Sequence, residues 1–370
     1  MTKKILVVAG EPSGDLHAAE VIKHLVCQSP EINFFGMGGD LMQQAGVRLI
    51  YHIRDSAVMG FTEVVSAVPK FALKQAKLKK FLRQERPSVT VLVDFSGFNL
   101  GLAKYANRLS LPVIYYIPPK AWAWRANRAR TVAKSTSAVA SIFPFEANFY
   151  KKAGANTYFV GHPLLDIAQS KHSVLSARKE LGINSNGQTI GLMPGSRQSE
   201  VNTLLPLMVA VANRLRNRFP ESQFILPLAA GIKLEAPPDI TIVSSSQAYT
   251  VMRAADLMLI ASGTATLESA LIGTPMIIVY QLSTLTWWLS KRLVQLTHSG
   301  LPNIIAGYEV VPELLQKQAN SDRIFTTAEN HLLNPELLAA QRQRLSEIRK
   351  ALGDEGAAKR VADLVRLYLP

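Results

Sequence analysis

The chain has 370 residues, of which 48% are apolar and 18% charged; this suits two domains with buried cores and excludes a disordered protein. Its single cysteine, Cys27, excludes an intramolecular disulfide and a cysteine-rich zinc cluster, and fits a reducing cytoplasm. The formal charge of +14 favours an anionic partner, whether nucleic acid, phosphorylated substrate or acidic membrane, and it is concentrated in residues 1–168, where 21 lysines and arginines face 11 acids.

Two lysines precede a short apolar run at residues 5–9, which soon meets Glu11 and Asp15; this reads as a buried strand and not as a signal peptide. No window approaches the ~18 unbroken apolar residues of a membrane span, so a soluble or peripheral protein is expected. Further short apolar runs predict strands at 32–35, 89–94, 113–117, 138–142 and 158–160, separated by helical segments. The pattern restarts after residue 170, with strands expected at 189–193, 223–226, 240–243, 257–260 and 276–280. Runs apolar on both faces and spaced by helices are the mark of parallel strands covered on both sides. The expected fold class is therefore α/β, with two Rossmann-like, doubly wound parallel-sheet domains. The join is placed near residue 168, giving domains of 1–168 and 169–340, followed by a helical tail of 341–370.

In open sheets, ligands bind beyond the carboxyl ends of strands, so the loops there were weighed for chemistry. The loop Gly10-Glu11-Pro12-Ser13-Gly14-Asp15 follows the first strand and opens a helix. Its glycines allow close backbone approach and its N–H groups can meet an anion, although Ser13 or Asp15 could equally be a simple cap. It is not the dinucleotide GxGxxG pattern. Asp94, in VDFSGFN, stands at a strand end among aromatic residues, where partial desolvation would raise its pKa toward that of a general base; a cap is again the alternative. Trp122, Trp124 and Arg125, after Pro118-Pro119-Lys120, offer aromatic faces and a cation to a sugar or phosphate, or else pack between elements.

In the second half, Gly195, Ser196 and Arg197 follow a strand, and the arginine supplies a forked cation for phosphate oxygens. Ser262, Gly263 and Thr264 form a second strand–turn–helix, with Glu268 one turn further on, where a carboxylate can accept both hydroxyls of a ribose. Together the two loops suggest a nucleotide-diphosphate site. Residues 70–86 hold seven basic residues and one acid interleaved with Phe71, Leu73, Leu78, Phe81 and Leu82. With Trp287-Trp288 beside Lys291 and Arg292, this segment is a candidate for an anionic membrane surface, or simply a lysine-rich outer face. His17 and His162 could donate to a phosphate or serve structure, and no histidine spacing suggests a metal site.

The segments AGEPSGD (9–15), VMGFTEV (58–64), VDFSGFN (93–99), AWAWR (121–125), FPFE (143–146), VGHPLLD (160–166), MPGSRQSEV (193–201), ASGTATLE (261–268) and LPNIIAG (301–307) occur in an order that resembles the lipid-A-disaccharide synthase family. The resemblance runs along nearly the whole chain and implies the inverting GT-B fold, with its two domains facing across a cleft and a tail helix returning to the first. It implies transfer of a diacylated glucosamine from UDP-diacylglucosamine to the 6-hydroxyl of diacylglucosamine 1-phosphate, giving the β1→6 disaccharide and UDP. No cofactor and no metal are implied, and no nucleic acid; the oligomeric state stays open. The place implied is the cytoplasmic face of a Gram-negative inner membrane, with peripheral attachment. Carried over by position, Asp94 is the base, and Arg197 and Glu268 contact the donor nucleotide. The acceptor group is expected among Glu11, Ser13, Gly14, Asp15, Trp124 and Arg125. Pro118-Pro119-Lys120 departs from the family's Ser-Pro form, so no serine hydroxyl is available there. Other GT-B enzymes, such as the lipid II glycosyltransferase or UDP-sugar epimerases, are rivals that the motif order disfavours; a non-catalytic basic membrane-binding protein is the rival of another class.

Overall fold

The computed structural model describes residues 3–56, 61–124, 127–169, 172–184, 187–282 and 297–370, with only the backbone for 55–56, 61–70 and 124. The chain divides into two compact units, one of Met1–Pro163 with Leu352–Pro370 and one of Leu164–Ala351. The sequence pattern places these boundaries at 168/169 and 340/341.

In the first unit seven parallel strands form one sheet: β1 (Lys4–Ala9), β2 (Asn33–Gly38), β3 (Val47–His52), β4 (Val89–Val93), β5 (Val113–Tyr116), β6 (Ala138–Ser141) and β7 (Thr157–Phe159). Their order is β3-β2-β1-β4-β5-β6-β7, so the winding reverses between β1 and β4. The central strands KILVVA, VTVLV and VIYY are buried on both faces, as helix-covered parallel strands must be. One helical layer is supplied by Phe61–Glu85 and Ser96–Arg108, whose Leu78, Leu82, Leu102 and Ala106 pack on Leu6, Val8, Leu92 and Tyr115. Leu78 and Leu82 are fully buried, each contributing about 1.5–3 kcal/mol by leaving water. The apolar side of the basic helix is therefore committed to the core. Lys74 also lies on it, buried, with its Nζ 5.3 Å from the Tyr51 ring centre. Leu73, Lys77 and Lys80 are among its exposed residues, with Leu73 70% exposed and the Lys77 Nζ 4.9 Å from the same Tyr51 ring centre. On the other side, the helix Ala357–Arg366 packs against the helix Pro12–Gln28. It is tied down by the Arg360 guanidinium, which donates to the carbonyls of Val160 (2.7 Å), Asp354 and Glu355 (2.8 Å).

The second unit holds β8 (Thr189–Met193), β9 (Gln223–Leu228), β10 (Thr241–Ser244), β11 (Leu257–Ala261), β12 (Met276–Tyr280) and β13 (Glu313–Leu315), all parallel, in the order β10-β9-β8-β11-β12-β13. Its reversal falls between β8 and β11. The helix Gln198–Arg218 buries Val201, Leu204, Leu205, Met208, Val211 and Leu215, a 3.6-residue stripe, on that sheet. The helix Pro335–Ala351 clamps the start of β12, where the Met276 N–H donates to Gln341 Oε1 at 2.7 Å. β3 and β13 were not expected from the sequence. Both are sheet edges, and β3 (VRLIYH) carries Arg48 and His52 while β13 has three residues, so neither shows a continuous apolar run. Among the described residues no helix is long and apolar enough to cross a membrane.

Candidate active site

The two loops at the reversal of the first sheet leave β1 and β4 side by side. After β1 the chain passes Gly10 and enters the helix Pro12–Gln28, whose N-cap, Glu11, makes no side-chain capping bond. Gly10 is required by packing: a Cβ there would lie 2.2 Å from the Phe95 ring. Glu11 and Ser13 are exposed at this helix end, and Gly14 is buried against Ala9 and the Val93 carbonyl. Asp15, expected in the acceptor group, is buried and engaged with the backbone of the next loop. Its Oδ1 accepts from the N–H groups of Gly39 (2.6 Å) and Met42 (3.1 Å), and its Oδ2 from Leu41 (3.1 Å), which caps the helix Asp40–Gln44.

After β4, Asp94 (φ 48°) and Phe95 (φ 45°) are both left-handed, an arrangement that costs on the order of 1–3 kcal/mol per non-glycine residue. The surroundings hold it. The Asp94 N–H donates to the Tyr116 carbonyl (3.0 Å), and its own carbonyl accepts from Asn99 Nδ2 and the Tyr115 hydroxyl, both at 2.9 Å. Asn99, fully buried, donates from the same nitrogen to Val93 O (3.2 Å) as well. Phe71, Phe95 and Phe98 cluster beside the turn, with ring centres 5.2–6.3 Å apart. Burial pushes the Asp94 carboxyl above the ordinary aspartate range, against the opposing pulls of Lys120 and the Phe95 N–H.

Three further titratable groups gather at the ends of β5, β6 and β7 and in the first helix. Burial lowers His17 to about 4 and, with the fields of His17 and Lys120, lowers His162 to about 3; both imidazoles are neutral at physiological pH. His17 lies edge-on to Tyr116 at 6.5 Å, and His162 packs on Phe143 at 5.0 Å. Glu146, 1% exposed, is raised to about 7, chiefly by burial. Its Oε1 accepts from Trp122 Nε1 at 3.0 Å and its Oε2 from Ser141 Oγ at 2.7 Å. The Trp124 side chain and Arg125 lie outside the described residues, as do Trp287 and Trp288.

In the second unit, β8 and β11 are neighbours, so the two loops expected to hold a diphosphate emerge side by side. Gly195 has φ +118°, and a Cβ there would meet Glu200 Oε2 at 2.4 Å. Glu200 accepts from the N–H groups of Ser196 (3.2 Å) and Arg197 (3.3 Å) and from Arg197 Nη1 (3.0 Å). The Arg197 side chain is 76% exposed, so its pairing with Glu200 is a surface ion pair of about 0–1 kcal/mol that a phosphate can displace. Next to it, Gly263 and Thr264 are exposed at the start of the helix Thr264–Ile272. Ser262 Oγ bonds Ser299 (2.8 Å to Oγ), linking this loop to the LPNIIAG segment. One turn in, Glu268 accepts from the Tyr249 hydroxyl (3.0 Å), and burial raises its carboxyl.

Sequence reading missed the groups that hold these loops. Asn99 lies within VDFSGFN, Glu146 within FPFE, and Asn303 within LPNIIAG, where it bonds Glu313 (2.8 Å) and the Val311 carbonyl (2.8 Å). Each motif was noted, but nothing in the spacing reveals which member is buried. Among the described residues no three His, Cys, Asp or Glu side chains converge as metal ligands would.

Two parallel-sheet units, each with helix-opening loops at its reversal, define the GT-B architecture shared by many glycosyltransferases and UDP-sugar epimerases. The fold is similar to that of UDP-GlcNAc 2-epimerase from Neisseria meningitidis (TM-score 0.68, 13% identity, 98% of this chain and 100% of the other). It is equally similar to the glycotransferase of kitacinnamycin (TM-score 0.67, 15% identity, the whole of both chains). At the level of family, residues 5–366 match the model of lipid-A-disaccharide synthetase, and the lipid-A-disaccharide synthase of Geobacter metallireducens is 39% identical across 98% of this chain and 96% of its own. The chain belongs to the lipid-A-disaccharide synthase family and is a glycosyltransferase.

Proposed function

We propose that this chain transfers 2,3-diacylglucosamine from its UDP donor to the 6-hydroxyl of 2,3-diacylglucosamine 1-phosphate, with Asp94 as the base. The observation that carries this reading is the Asp94 turn: a desolvated carboxylate in a strained backbone, held by Asn99 and Tyr115 at the reversal of a parallel sheet. Asp94 takes the hydroxyl proton as the acceptor oxygen attacks the anomeric carbon. The bond to UDP breaks, the electron pair leaves with the diphosphate, and the anomeric configuration inverts. Charge grows on the leaving group in the transition state. Arg197 and the N–H groups that open the helices at Gln198 and Thr264 stabilise that charge more than they stabilise the ground state, which is what speeds the reaction. Glu268 holds the donor ribose, and Gly195, Ser196, Ser262, Gly263 and Thr264 frame the diphosphate.

On the acceptor side the reading keeps Glu11, Ser13 and Gly14 at the opening of the first helix, and Trp124 and Arg125 after β5. The exposed residues Leu73, Lys77 and Lys80 of the helix Phe61–Glu85 support a peripheral place on an anionic inner-membrane surface. Purified protein given both lipid substrates in detergent is expected to release UDP and form one disaccharide per UDP. Folded protein that releases none removes the assignment.

A further inference from the structure

Glu146 is a buried acid for which the proposed reaction has no use. It lies in the first turn of the helix Pro144–Lys152, after β6, and its two oxygens take up one donor each: the Trp122 indole N–H and the Ser141 hydroxyl. Trp122 is also seated edge-on against Phe145, with ring centres 4.9 Å apart. The segment leading to it, Pro118-Pro119-Lys120, is fastened a second time by the Tyr150 hydroxyl, which donates to the Pro119 carbonyl. It departs from β5, whose Tyr116 carbonyl accepts from the Asp94 N–H. Glu146 and Tyr150, on one face of one helix, thus hold both ends of a turn whose exposed middle residue, Lys120, acts electrostatically on Asp94, Glu146 and His162.

We infer that Glu146 is a positioning residue for the reaction: through Trp122 it sets the turn that bears Lys120, the cation whose field reaches Asp94. The inference rests on Asp94 as the base. Its chemistry gives it a pH dependence. As a carboxylate Glu146 accepts from both donors; protonated at Oε2 it donates instead to Ser141 Oγ, whose hydroxyl turns to the Phe143 carbonyl (3.0 Å), and the Trp122 bond to Oε1 loses its charge assistance. Burial places that change at about 7. The charged or titratable groups around it are Lys120 on the turn, Tyr150 on its own helix, Arg128 facing Tyr150, and the neutral His162 and His17 beyond Phe143. Of these, Glu146 is raised toward neutrality by burial and the two histidines are lowered into the acid range.

The test uses the whole chain. Tryptophan emission of the wild type minus that of Trp122→Phe, titrated from about pH 5.5 to about pH 9, reports the indole alone, and a midpoint near 7 is expected. Glu146→Gln should abolish that titration. Both variants should lower kcat with saturating acceptor roughly tenfold while leaving the donor KM unchanged, since misplacing a positioned group by a fraction of an ångström costs about that much. Flat difference emission in the wild type, a titration that persists in Glu146→Gln, or a Trp122→Phe variant with wild-type turnover would each overturn the inference. If Glu146→Gln fails to fold, Trp122→Phe still decides, because it removes the N–H donor while keeping a smaller aromatic ring against Phe145. The emission arm does not depend on turnover. A fully active Asp94→Asn would remove the base and, with it, the positioning role, while leaving the Glu146–Trp122 titration standing; flat emission beside an inactive Asp94→Asn would remove the Glu146 inference alone.

Discussion

The two reversal points are built from the same strand–loop–helix unit and yet differ in almost every physical property. At the first, the residues are buried and aromatic, the backbone is left-handed at two successive non-glycine positions, and four titratable groups are moved from their ordinary values by desolvation. At the second, the loops are exposed, glycine supplies the one unusual dihedral, and the charged group that faces outward is an exposed arginine paired with Glu200. The first has the character of a site for proton transfer, where pKa and orientation must be fixed in advance. The second has the character of a site that holds a phosphate-bearing ligand arriving from water, with backbone N–H groups and a displaceable cation.

The sharpest way to break this contrast is to neutralise the base. Asp94→Asn is expected to lower turnover by about 10²–10⁴-fold with the donor KM little changed, as loss of a general base does. The wild-type acid limb should accompany it. Only the ionised carboxyl can accept the proton, and burial raises its pKa, so kcat/KM should fall with decreasing pH at a midpoint above the ordinary aspartate value of about 4. Arg197→Met should differ by also raising the donor KM roughly 10–100-fold, the equivalent of one charge-assisted hydrogen bond, and should lower kcat as well, because Arg197 meets the charge that grows on the diphosphate. Asn99→Ala removes the donor that holds the Asp94 carbonyl; a roughly tenfold loss of kcat and a lowered melting temperature are expected, since buried carbonyls lose their partner. The smallest effect is at the surface. Lys80→Gln should weaken binding to anionic liposomes about fivefold, at about 1 kcal/mol per charge near the membrane, while leaving turnover on detergent-dispersed substrate intact. Sedimentation equal to the wild type's takes this helix out of the interface.

Much of this contrast could be read from the residues, because it rests on local patterns. The continuous apolar runs of β1, β4, β8 and β11 announced parallel strands, and glycine, serine and aspartate just beyond them marked the loops. What escaped was long-range. Asp15 caps a helix 25 residues further on, and Lys74 turns inward onto Tyr51, so neither plays the outward part that its charge suggested. Glu146 looks like any first-turn acid of a helix until Trp122, 24 residues earlier, is found on its oxygen. β3 and β13, at sheet edges and with polar residues or few residues at all, carry no periodic signal.

The central claim is that proton transfer belongs to the first unit and nucleotide binding to the second. Calorimetric titration of UDP into the wild type, Asp94→Asn and Arg197→Met tests it most directly. The dissociation constant of Asp94→Asn should equal the wild type's, and that of Arg197→Met should be weaker by roughly tenfold or more. Equal weakening in both variants, or in Asp94→Asn alone, would contradict the division.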